Sequence, residues 1–181
     1  ITTGASDRLR FLPIGAGLPN DGQWRNGFDL ADVNLDGKLD IVHGGVRRQL
    51  RAYPHIFLGD GKGAFKEWEE ARYPPLPYDY GDISVGDFNH DKKPDLAIAV
   101  HLRGLIALEG DGKGNFVLAG QGLGFEAGAL QPGQVSLFSS RAVQTLDWDG
   151  DGRDEILALA EGPMGSFSAQ KGTTNRMQQS Y

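Results

Sequence analysis

Short apolar runs bounded by turn-forming residues recur along this chain. Three of them alternate with polar positions: Phe28 and Leu30, Ile83 and Val85, Val143 and Thr145. Three others are more continuous and begin at Ile41, Leu96 and Ile156. Runs this short, partly β-branched and flanked by glycine, aspartate or asparagine, predict strands rather than helices. No run approaches the roughly 18 apolar residues of a membrane helix.

Between each alternating stretch and its continuous partner lies an aspartate-rich window. The first contains Asp32, Asn34, Asp36, Gly37, Lys38 and Asp40. The second contains Asp87, Asn89, Asp91, Lys92, Lys93 and Asp95. The third contains Asp147, Asp149, Asp151, Gly152, Arg153 and Glu155. The windows align without gaps and start 55 and 60 residues apart. Farther on, the Asp60-Gly61-Lys62-Gly63 turn with Phe65 matches Asp111-Gly112-Lys113-Gly114 with Phe116. Asp-Gly followed by glycine is a hairpin signal. Each unit therefore reads strand, aspartate loop, strand, loop, strand, glycine turn, strand. Four antiparallel strands in about 55 residues is a propeller-blade pattern. The boundaries that follow are an outer strand and connector at 1–26, a first blade at 27–80, a second with a long connector at 81–140, and a third at 141–181.

The spacing of the aspartates points to calcium. Oxygen ligands at positions 1, 3 and 5, a backbone carbonyl at 7 and a carboxylate at 9 can wrap one hard cation, which takes six to eight oxygens at about 2.3–2.6 Å. Without a cation, carboxylates packed this closely repel one another. Glycine at position 6 permits the sharp turn. An EF-hand needs a bidentate glutamate at position 12; the residues there are His43, Ile98 and Ala158, and strands follow. That alternative is rejected.

With their loops and glycine turns recurring together over roughly residues 18–165, these units resemble the VCBS/FG-GAP repeats that build integrin-α-like β-propellers. The resemblance implies three calcium sites. Their ligands would be Asp32, Asn34, Asp36, the Lys38 carbonyl and Asp40; Asp87, Asn89, Asp91, the Lys93 carbonyl and Asp95; and Asp147, Asp149, Asp151, the Arg153 carbonyl and Glu155. The chain departs from the pattern in three places. Lys92 replaces glycine at position 6 of the second loop, the literal Phe-Gly…Gly-Ala-Pro signature is absent, and the third unit lacks the Asp-Gly-Lys-Gly turn.

Composition fits this reading. Glycine is 27 of 181 residues, and aspartate outnumbers glutamate 17 to 7; both favoured residues are turn formers. Ten of the 17 aspartates fall in the three windows. The net charge of −6 argues against nucleic acid as a partner. The absence of cysteine removes disulfides, zinc–thiolate sites and thiol catalysis. No serine elbow, phosphate loop or His-Glu-x-x-His motif occurs, and the paired carboxylates are better explained as calcium ligands than as a glycosidase pair. The expectation is a non-enzymatic protein.

In a four-strand meander the aspartate loops and glycine turns share one end of the blade. The opposite end would carry Arg47, Arg48, Arg51 and Arg103, with Tyr78 and Tyr80. A basic, tyrosine-bearing face on an acidic protein suits an anionic or sugar ligand. Three blades are fewer than the usual four to eight. Further blades in a larger propeller, a second copy closing a six-bladed ring, or another subunit would each cover the open faces. The sequence thus predicts an all-β, calcium-stabilised propeller module that binds a protein or carbohydrate ligand. Its setting would be an adhesion-type protein outside the cytoplasm: extracellular, periplasmic or at the cell surface. The alternative is a non-catalytic propeller domain or subunit attached to an enzyme or larger complex.

Overall fold

A computed structural model of the chain describes residues 13–24, 26–47, 52–76, 78–101, 104–119 and 140–160. Ten strands occur among them. The first sheet is an antiparallel meander of β1 (Phe28–Ala31), β2 (Asp40–His43), β3 (His55–Gly59) and β4 (Phe65–Glu67). The second repeats it with β5 (Ile83–Gly86), β6 (Asp95–Val100), β7 (Gly104–Gly110) and β8 (Phe116–Leu118). The third pairs β9 (Ser140–Leu146) with β10 (Glu155–Ala160). This is the all-β, blade-type architecture that the repeat predicts. Among the described residues the three sheets do not close into a ring. No helix there is long and apolar enough to cross a membrane.

Register explains why the aspartate windows become loops. Ala31 pairs with Asp40, Gly86 with Asp95 and Leu146 with Glu155. Each pairing closes the first hairpin of its sheet and leaves the same length of chain to be turned outside the ladder. The glycine turns close the outer hairpins in the same way, with Gly59 opposite Phe65 and Gly110 opposite Phe116.

The sheets pack face to face. Val42 and Ile56 of the first sheet share a core with Ile83, Leu96, Ile98, Ile106 and Leu108 of the second. Ala97, Ala99 and Leu105, on the other face of the second sheet, pack against Val143, Ile156 and Ala158 of the third. The middle sheet is therefore covered on both faces, and all six residues of β6 are buried. Full burial of an aliphatic side chain is worth about 1.5–3 kcal/mol, so the joints between sheets carry much of the fold's stability.

The innermost strands β1, β5 and β9 lie side by side and are joined by hydrogen bonds. The Asp29 carboxylate accepts from the Val85 amide at 2.8 Å and the Ser84 hydroxyl at 3.0 Å. The Ser84 hydroxyl in turn lies 2.9 Å from that of Thr145, which donates to the Val85 carbonyl at 2.6 Å. This polar seam runs through all three sheets.

Candidate metal centres

All three aspartate loops fold on one plan. The carboxylate at position 1 accepts two backbone amides from across the turn. Asp32 takes those of Asp36 and Gly37 at 2.9 and 2.8 Å; Asp87 takes those of Asp91 and Lys92 at 3.0 and 2.8 Å. Asp147 accepts from Gly150 and Gly152 at 2.7 and 3.1 Å. The oxygen at position 3 (Asn34, Asn89 or Asp149) accepts the amide of position 5. The carboxylate at position 5 accepts the amide of position 7, that of Lys38, Lys93 or Arg153. Side-chain oxygens from positions 1, 3 and 5 are thereby drawn to the inside of one turn.

The turn demands left-handed backbone at two points. At position 4, φ is 60° at Leu35, 60° at His90 and 80° at Gly150. At position 6 it is 83° at Gly37, 63° at Lys92 and 88° at Gly152. A side chain with Cβ is disfavoured in this region. The third loop meets both demands with glycine, the first meets one, and the second meets neither.

The loops also differ in charge. In the third, carboxylate oxygens of Asp147, Asp149 and Asp151 all lie within 4.8 Å of one another. This is a donor set of the hard-oxygen type that suits calcium. In the first two loops asparagine takes position 3, and a lysine ammonium reaches position 5: Lys38 Nζ is 2.9 Å from Asp36, and Lys93 Nζ is 2.6 Å from Asp91. The lysine hydrogen bond holds each of these aspartates below its ordinary pKa. Arg153 makes only a long 3.9 Å contact with Asp151. The third loop thus fits a cation best as it stands, and the other two would have to release a lysine.

Position 9 does something more than the spacing implies. Asp40 and Asp95 are 0% exposed. Asp40 accepts from the Val33 amide at 3.0 Å and the Gly59 amide at 2.8 Å; Asp95 accepts from Phe88 and Gly110, both at 2.9 Å. Each carboxylate ties its loop to the third strand of its own sheet. Burial is the largest influence on both groups and raises their pKa, that of Asp95 to about 6. Glu155 makes one such bond, to the Trp148 amide at 2.7 Å, and remains exposed.

A loop of this plan, set between the inner two strands of a sheet, recurs in register. Residues 47–98 match the FG-GAP-like repeat family. The matched segment runs from the end of the first sheet's inner half to the middle of β6, so it straddles two sheets in space. It supplies the outer strands of one blade and the inner strands of the next. No curated protein and no solved structure matches the chain.

At the other end of the sheets, the residues expected on the ligand face separate. The Arg47 guanidinium sits 5.4 Å from the centre of the Tyr80 ring. Tyr78 does not share that surface: it is 7% exposed, belongs to the core between the first two sheets, and donates its hydroxyl to the Pro74 carbonyl at 3.1 Å. Arg48, Arg51 and Arg103 lie outside the described residues. The structure adds two groups not foreseen in the sequence. Arg141 lies 5.9 Å from the Tyr80 ring, and the His101 ring packs on Tyr80 at 4.6 Å. Arg141 stands almost a hundred residues from Arg47, and only the packing of three sheets brings them together.

Contacts between loops were equally hidden. Asp154, at position 8 of the third loop, accepts the Asp87 amide at 2.7 Å and returns its own amide to the Asp87 carbonyl at 3.0 Å. The His90 ring of the second loop meets the Gly152 carbonyl of the third. A signal for Asp154 exists in the sequence, since position 8 is leucine or proline in the other two windows.

Proposed function

We propose that this chain is a calcium-stabilised FG-GAP propeller module that binds a ligand and has no catalysis of its own. The observation that carries the reading is the convergence of Asp147, Asp149 and Asp151 within one turn, on a loop plan that occurs twice more. Asp147 orients the backbone, Asp149 and Asp151 present oxygens, and Glu155 anchors the loop to β10. A bound calcium would neutralise carboxylates that otherwise repel and would lock the turn. The setting consistent with constitutive calcium is outside the cytoplasm: extracellular, periplasmic or cell-surface.

The ligand side of the proposal rests on the end opposite the aspartate loops, where Arg47, Tyr80, His101 and Arg141 meet. Guanidinium groups over an aromatic ring suit an anionic or hydroxyl-rich partner, protein or glycan. A separate cavity of about 370 Å³ is lined by Tyr53, Trp68 and Tyr73 together with Glu67 and Arg72.

Native mass spectrometry with and without calcium tests the metal, and a glycan array tests the ligand. Up to three calcium ions should bind, the first at the third loop, and chelator should lower the melting temperature. A chain that takes up no calcium and melts identically in chelator overturns the reading.

A further inference from the structure

The second and third aspartate loops are tied to each other at three points. The Asp154 carboxylate accepts the Asp87 amide at 2.7 Å, and the Asp154 amide donates to the Asp87 carbonyl at 3.0 Å. Nδ1 of the His90 ring faces the Gly152 carbonyl. Two glycines make room for these contacts. A Cβ at Gly86 would stand 2.9 Å from the Asp154 side chain, and one at Gly152 would stand 2.8 Å from the His90 ring.

Each tie falls on a residue that shapes the second loop. Asp87, at position 1, holds the amides of Asp91 and Lys92, so fixing its backbone fixes the carboxylate that organises the turn. His90 and Lys92 keep left-handed φ values of 60° and 63° without glycine. The second loop is therefore the costliest of the three to order, and it is braced from outside. The brace comes from Gly152 and Asp154, positions 6 and 8 of the third loop. Between the first loop and the second the chain has no equivalent. Position 8 of the second loop is Pro94, which has neither an amide proton nor a side-chain acceptor. A cavity of about 360 Å³ lined by Asp32, Lys92, Lys93 and Pro94 lies there instead.

We propose, on the basis of the calcium reading above, that the second and third loops bind calcium as a coupled pair, with Asp154 as the positioning residue between them. An ion that orders one segment spares a second ion part of the ordering cost, which gives positive cooperativity without a change of fold. Calcium at the third loop orders the turn that carries Gly152 and Asp154. Those residues hold Asp87 and His90 in the conformation that the second loop needs. Coupling of this kind is reciprocal, so calcium at the second loop tightens the third by the same factor.

Calorimetric calcium titration in an Asp36→Asn background, which silences the first loop, tests this. The second loop should bind about tenfold more tightly when the third is intact than when Asp151→Asn silences it, within the roughly 5–150-fold span of such couplings. Asp154→Leu, which places there the residue type of Leu39 in the first loop, should bring that ratio close to one. Asp154→Asn removes the charge but keeps the acceptor, so it should preserve the ratio; a purely electrostatic role would not. If Asp154→Leu misfolds, His90→Ala removes the other bridge and should lower the same ratio. Hydrogen exchange gives a second readout. With the second loop silenced by Asp91→Asn, calcium should slow exchange of the Asp87 amide, and Asp154→Leu should cancel that protection. A parent chain that takes up no calcium overturns the calcium reading and the coupling together. Uptake at the third loop alone, two ions bound independently, a ratio that survives Asp154→Leu or falls with Asp154→Asn, or an Asp87 amide indifferent to calcium would overturn the coupling alone.

Discussion

The carboxylate of Asp29 and the amide of Val85 lie 2.8 Å apart although 56 residues separate them in sequence. Asp29 points between two sheets from a position that alternation alone would assign to a plain polar face. It satisfies a backbone donor on the neighbouring innermost strand and also holds Ser84. A buried donor left unsatisfied costs about 1–3 kcal/mol. Asp29→Ala should therefore lower unfolding free energy by about that amount, as measured by denaturant titration, with calcium stoichiometry unchanged. A neutral result would show that water replaces the carboxylate without loss.

The three loops should differ in calcium affinity in the order of their carboxylates and glycines. Asp151→Asn should abolish the tightest site in a calorimetric titration, whereas Asp36→Asn should remove a weaker one. A ligand that binds only the native state adds about 2.7 kcal/mol at a hundredfold excess over its Kd, so Asp151→Asn should also forfeit most of the thermal shift produced at low calcium.

Lys92 holds φ at 63° where the other two loops use glycine. Replacing a strained side chain by glycine at a left-handed position relieves the backbone but loosens the unfolded chain. The net expectation for Lys92→Gly is a gain of up to about 1 kcal/mol in stability and tighter calcium at the second loop. Chemical denaturation and calcium titration of the variant check both.

His43 gives the fold an acid sensitivity. Its ring is buried against Trp24 and Nε2 has no hydrogen-bond partner. Burial is the main cause that depresses its pKa below the usual 6.5. The folded state thus resists a proton that the unfolded chain accepts, so stability is full above pH 6.5 and falls as the pH drops below it. His43→Phe, which keeps an aromatic ring beside Trp24, should flatten the melting temperature between pH 7 and pH 5. An unchanged slope would assign the acid sensitivity to other groups.

Tyr78 and Tyr80 separate packing from recognition. Tyr78→Phe should cost about 1 kcal/mol through the lost bond to Pro74 and leave ligand binding intact. Arg47→Ala and Tyr80→Ala should weaken a bound glycan or acidic protein with little change in melting temperature. Loss of binding in the Tyr78 variant alone would reverse this division.

The aspartate windows fix a great deal from the sequence alone. Carboxylates and glycines at fixed intervals have one economical conformation, a tight turn whose amides are satisfied locally, so Asp32, Asp87 and Asp147 occupy equivalent places without help from distant residues. The apolar runs around them likewise dictate strands, and their order dictates meanders. What the sequence could not show is how one meander meets the next. Asp40 and Asp95 belong to the ligand spacing, yet tertiary packing buries them and turns both oxygens to amides of the loop and of the third strand. Tyr78 and Tyr80 are two residues apart in a connector of similar chemistry, but only the packed sheets decide that one fills the core and the other stacks with Arg47 and Arg141. Local hydrogen bonding is written in spacing; burial and long-range proximity are set by which faces pack, and that choice is made only when the sheets come together.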